Sequence, residues 1–170
     1  TIFTLAHRVA MLISFSLIAI NAYIVPHYAR LSEQTERKKL QKLVSKIATI
    51  LSFLSLLSFA LVILFIFSDT YEFELESEYQ TFKVIVAVLC MGQLISAIFG
   101  SVGYLLQLTN FVKFYVLSIS ISLIFMGISY IGFYVAESLN LLNFSCITAL
   151  GVITQNVLAW LFLVKKASIN

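Results

Sequence analysis

An all-α protein that crosses a membrane several times is the fold class the sequence predicts, and three observations lead there. The 170 residues are 61% hydrophobic and 11% charged, with a mean hydropathy of +1.00, whereas a soluble domain usually carries about a quarter of its residues charged. The apolar residues gather into five runs, 9–28, 47–67, 84–107, 115–136 and 141–164, each of about 20 residues or more and so able to cross a hydrocarbon core of roughly 30 Å as a helix. The basic residues concentrate in alternate connections. Together these exclude a secreted disulfide scaffold, a disordered tail and almost any water-soluble enzyme.

The first run, 9–28, holds Asn21 and Pro26. Proline lacks the backbone N–H that would bond the carbonyl of Ala22, so a kink, a hinge or an early helix end is expected at Pro26. A basic connection, 29–46, follows with Arg30, Arg37, Lys38, Lys39, Lys42 and Lys46. It reads as a helix-like stretch on the inner leaflet, where Leu31, Leu40, Leu43 and Val44 supply a narrow apolar face. The second run, 47–67, is apolar all round. The connection 68–83 is acidic, with Asp69, Glu72, Glu74, Glu76 and Glu78 before Lys83. The third run, 84–107, carries Gly92, Ser96, Gly100 and Gly103; the first three are spaced by four and mark a face on which helix backbones approach closely. Gln93 stands beside them. The fourth run, 115–136, is almost without polar groups beyond serines. The fifth, 141–164, holds Gln155 and Asn156. None of the runs has the strict alternation of a barrel strand, and helices satisfy their own backbone groups, as hydrocarbon requires.

The charges set an orientation. Nine of the eleven basic residues fall in 29–46, at Lys113, or at Lys165 and Lys166, all on one side of a five-span chain. The other side holds Arg8 and Lys83 with most of the acids. The positive-inside rule puts the basic side in the cytoplasm, the start of the chain outside and its end inside. The chain begins at Thr1 without a charged leader region, and we expect it to be a fragment of a longer protein.

The spans contain no Asp or Glu, the residues that usually mark proton relays and ion sites in membranes. Arg8, at the outer start of the first run, has two readings: an anchor that reaches to headgroups, or a cation facing a cavity and pairing with a phosphate or diphosphate. Gln93, Asn21, Gln155 and Asn156 either bond across helices or line that cavity. Catalytic patterns are missing. His7 and His27 lie at opposite ends of one run, and Cys90 and Cys146 lack metal-ligand spacing, so no metal, cofactor or enzymatic centre is expected. Nothing points to nucleic acid.

The order of the motifs resembles a known family. Residues 5–31, LAHRVAMLISFSLIAINAYIVPHYARL, have a small-Arg-apolar start, then Ala-Ile-Asn, then Pro five residues later. A basic KKLQKLVSKIATILSFLSL follows. Residues 78–110 carry Gln-Leu-Ile, Gly-x-x-Gly and Leu-Leu-x-x-Thr, and residues 149–166, ALGVITQNVLAWLFLVKK, have Asn in mid-span before a basic tail. In this order they resemble the bacterial oligosaccharide flippases of the multidrug, oligosaccharidyl-lipid and polysaccharide exporter superfamily. The family's Gly after Thr109 is Asn110 here, and the connection before the last span lacks its usual Pro and Gly.

The resemblance implies helices two to six of the C-terminal lobe of a two-lobe transporter, with an N-terminal lobe upstream. It implies a lipid-linked oligosaccharide of undecaprenyl-diphosphate type as cargo, moved across the bacterial inner membrane for O-antigen or polysaccharide biosynthesis, with membrane lipids around it. The alternatives are a multidrug or organic-cation antiporter of the same superfamily, which normally needs a membrane carboxylate, and a non-transporting partner subunit of a glycan-synthesis complex.

Overall fold

The computed structural model describes residues 2–33, 37–68, 76–99, 102–108 and 111–167. Its elements are α1 (Ile2–Glu33), α2 (Arg37–Phe67), α3 (Glu76–Phe99), α4 (Val102–Leu108), α5 (Val112–Val135) and α6 (Leu141–Ala167). Among the described residues there is no strand.

Helices α1, α2 and α3 pack against one another, α6 lies on α3, and α5 leans on α6; the short α4 touches α6, α5 and α1. One core joins the first three helices through Ala6, Ala10, Ile13, Ile66, Ile85, Val86, Leu89 and Cys90. A second joins α4 to α6 through Val102, Leu106 and Ala159, with Phe111 and Tyr115 packed on it. Phe3 meets the Phe144 ring edge-on, with centroids 4.8 Å apart, and Phe114 meets Phe162 at 5.4 Å. These contacts make α1, α3 and α6 parallel, with α2 and α5 running the other way.

Four segments are long and apolar enough to cross a membrane: Lys46–Phe67, Tyr79–Phe99, Val112–Val135 and Leu141–Lys165. Their burial is the reverse of a soluble helix. Only 11% of the α5 span is buried, and large apolar side chains such as Leu123, Ile124, Ile128 and Ile131 face outward. In water such a surface would be prohibitive; against lipid tails it has no penalty. In α1 the described apolar stretch, Ile2–Phe15, is shorter than a span, although the helix itself is 32 residues long.

Three expectations change. The helix end expected at Pro26 does not occur, because α1 continues through Pro26 to Glu33. Proline's fixed φ is compatible with helix, so the loss is confined to one backbone bond. The described residues of the connection 29–46 belong to the helices α1 and α2; residues 34–36 lie outside the described residues. Lys83, placed in the outer connection, instead lies inside α3 and is 6% exposed. Its Nζ sits 4.4 Å from the Tyr79 ring centroid and 5.6 Å from that of Phe67, where the ring faces attract a cation. The Tyr79 hydroxyl donates to the Ile66 carbonyl at 3.0 Å, fastening α2 to α3. The apolar run 84–107 is divided between α3 and α4; Gly100 lies outside the described residues.

Candidate functional site

A belt of uncharged polar groups crosses the bundle between the middle of α1, the last third of α3 and the middle of α6. Ser14 Oγ of α1 donates to Gln93 Oε1 of α3. One turn further along α3, Ser96 Oγ accepts from Asn156 Nδ2 of α6 at 3.1 Å, and the same amide nitrogen donates to the Val152 carbonyl at 2.8 Å. Gln93 and Ser96 are three residues apart, hence neighbours on the helix surface. The belt needs close backbones, and Gly92 provides them: a Cβ added there would lie 3.0 Å from Ala149 Cβ and 3.1 Å from Ala149 Cα. Gly103 has a different neighbour, the Tyr115 ring, 2.8 Å from an added Cβ.

Asn21 stands two turns beyond Ser14 on the same face of α1. It is 1% exposed, and its Oδ1 is buried without a hydrogen-bond partner, as is Oγ of Ser55 on α2. The Ser14–Gln93 pair sets α1 and α3 79 positions apart in register. Asn21 is therefore level with the place where α3 has ended at Phe99 and α4 begins at Val102, and α1 does touch α4. An unmet carbonyl oxygen in so dry a position is costly, of order 1–3 kcal/mol. Its chemistry suits a donor: a water, a ligand hydroxyl or amide, or a cation.

The remaining residues are arranged differently. Arg8 is exposed, on a face of α1 with exposed Leu5, Leu12 and Phe15. These four share a three-four spacing, so a guanidinium sits within an apolar stripe that points away from the belt. Next to it His7 turns inward, with Nδ1 buried and unpaired and its ring stacked on Phe3 at 6.0 Å. Gln155 is half-buried on α6, a helical step around from Asn156, and Pro26 is exposed. The structure thus brings Gln93, Ser96 and Asn156 together, holds Asn21 on the same side of α1, and leaves Arg8 apart.

Sequence reasoning missed Ser14 and Ser55. Ser14 had a signal, its spacing of seven from Asn21; Ser55 is one serine among several on α2 and had none. The α5–α6 contact was also missed. There Ser122 Oγ donates to the Gly151 carbonyl at 2.6 Å, and Tyr130 and Thr148 hydroxyls meet at 2.8 Å. Thr148 already donates to the Phe144 carbonyl, so Tyr130 is the donor of that pair. Among the described residues no group of three or more His, Cys, Asp or Glu is placed to hold a metal ion; both cysteines are free.

Apolar helices of spanning length, outward-facing aliphatic side chains and a bonded polar belt between helices define a multi-pass helical membrane protein. No protein-family model, curated protein or solved structure matches the chain.

Proposed function

We propose that the chain is part of an alternating-access transporter that flips a lipid-linked oligosaccharide across the bacterial inner membrane, with α1 as a fifth span. In this reading the chain starts outside and ends in the cytoplasm, and Arg8 receives the anionic diphosphate or headgroup of the cargo. The observation that carries the reading is the placement of Arg8. A permanently charged guanidinium among exposed Leu5, Leu12 and Phe15 calls for an anion or a watery path, because cations on a lipid-facing surface are costly. A second lobe facing this stripe would enclose the cation in a cavity. The belt through Gln93, Ser96 and Asn156 then serves as the rigid seam about which α1 and α3 move with α6 as one body.

The test is Arg8→Ala and Arg8→Lys in cells that depend on the protein for surface glycan. We expect Arg8→Ala to lower glycan display at unchanged protein level and Arg8→Lys to retain part of it, since a point charge replaces a bidentate fork. Unchanged display in Arg8→Ala, or loss of the protein itself, overturns the reading.

A further inference from the structure

Helices α5 and α6 run antiparallel, so the start of one lies beside the end of the other. Two rings fix how closely: Phe114 meets Phe162 with centroids 5.4 Å apart. A lysine on each helix stands just past this pair, in the same direction. Lys113 precedes Phe114 on α5, and its Nζ lies 5.6 Å from the Phe114 ring centroid, where the ring face attracts a cation. Lys165 follows Phe162 by three residues on α6, hence on the same face. It prolongs the line of Thr148 and Gly151, which bond Tyr130 and Ser122 of α5. Both lysines are exposed. Along the bundle axis they differ by roughly 3 Å, and helices packed about 8–10 Å apart leave both ammonium groups within reach of one anion. The setting adds to their charge. Phe111, at the N-cap of α5, makes no side-chain bond to the first N–H groups, so the positive end of that helix dipole is turned to the same level. Beyond the cations, Leu117, Ile121, Ile124 and Ile128 follow Lys113 at steps of four or three, and all four are exposed.

We infer that the paired ends of α5 and α6 are a docking site for an anionic phospholipid, its phosphate held between Lys113 and Lys165. One acyl chain lies along Leu117, Ile121 and Ile124, the stripe that runs up to Lys113. Charge complementarity selects this occupant. A soluble anion gains nothing from the apolar stripe. An acidic protein segment would have to carry unbonded backbone into hydrocarbon to reach it. A zwitterionic lipid brings its own cation, which the two ammonium groups repel. Each lysine has three donors, so the pair can bond separate oxygens of one phosphate. The inference rests on side chains other than Arg8 and those of the belt, and it would stand if the flippase reading fell.

The test titrates the full chain in neutral detergent micelles with phosphatidylglycerol, with phosphatidylcholine and with inorganic phosphate, reading the unfolding temperature at each concentration. We expect phosphatidylglycerol alone to raise the midpoint. Lys113→Gln and Lys165→Gln should each increase the concentration that gives half of the rise about fivefold, the worth of one cation at an anionic headgroup. Lys46→Gln, which removes another exposed lysine from the basic side of the charge pattern, should leave it unchanged. An equal rise with phosphatidylcholine or with inorganic phosphate overturns the proposal. So does an unchanged response in Lys113→Gln or in Lys165→Gln. A shift in Lys46→Gln as large as theirs also overturns it, because the attraction would then belong to the whole basic side. Should a variant fail to fold, the wild-type response in about 0.5 M NaCl decides: a half-rise concentration that survives that screening is not electrostatic, and the proposal falls.

Discussion

Two buried serines show how much hangs on one proton. Ser55 and Ser122 are both inside helices and both buried, yet Ser122 Oγ donates to the Gly151 carbonyl and Ser55 Oγ has no partner. The same substitution should therefore have opposite signs. Ser55→Ala deletes an unmet polar group and raises stability by about 1 kcal/mol. Ser122→Ala deletes an interhelical bond and lowers it by roughly 0.6–1.7 kcal/mol. Reversible unfolding in mixed micelles reads both, and shifts of equal sign would refute the assignment. The glycines divide in the same way. A Cβ at Gly92 meets the Ala149 backbone, whereas one at Gly127 meets nothing within 4 Å. We expect Gly92→Leu to part α3 from α6, at a cost of about 1–3 kcal/mol or more, and Gly127→Ala to be neutral or stabilising. None of these distinctions is visible in a string of letters, because they depend on which way a helix is turned.

At the scale of elements, the α3–α6 contact is tested by the pair Ser96 and Asn156. A double-mutant cycle with Ser96→Ala and Asn156→Ala should give a coupling of about 0.6 kcal/mol, and no more than about 1.7; a value near zero would mean that the two do not meet in solution. Much at this scale was legible beforehand. The runs at 47–67, 115–136 and 141–164 overlap α2, α5 and α6 because hydropathy is summed over twenty or so residues and survives local exceptions. Gln93 and Asn156 stood out because a polar group in hydrocarbon must find a partner, whereas Ser96 stood out only as a small residue on a close-packing face. Connections were harder to read. Lys83 looked like a loop residue because its charge outweighed its neighbours in any average, whereas the rings of Phe67 and Tyr79 give it a place inside α3. Pro26 looked like a terminus because propensity counts the lost bond, whereas proline's fixed φ still fits the helix that runs through it. The pairing of Gln93 with Ser14 and the isolation of Arg8 depend on the relative rotation of α1 and α3, which no single-helix pattern contains.

For the molecule as a whole, the orientation proposed from charge can be read by labelling. In a background with Cys90 and Cys146 replaced by alanine, Ser138→Cys, in the connection between α5 and α6, should react with a membrane-impermeant maleimide in intact cells. Lys113→Cys, at the other end of α5, should react only after permeabilisation; the reverse pattern would invert the chain. The parallel pairing of α1 with α3 also has a consequence in time. Ser14 and its partner Gln93 are 79 residues apart, and Ser96 and Asn156 are 60 apart. At about 5–20 residues per second of synthesis, Ser14 waits roughly 4–16 s after emerging before its acceptor has even been made. Throughout that interval α1 presents Ser14 and Asn21 to whatever surrounds it. A ribosome stalled after α2 therefore leaves a helical hairpin with its polar groups unmet, an early target for quality control, and the belt that later holds the bundle together cannot close before Asn156 has been made.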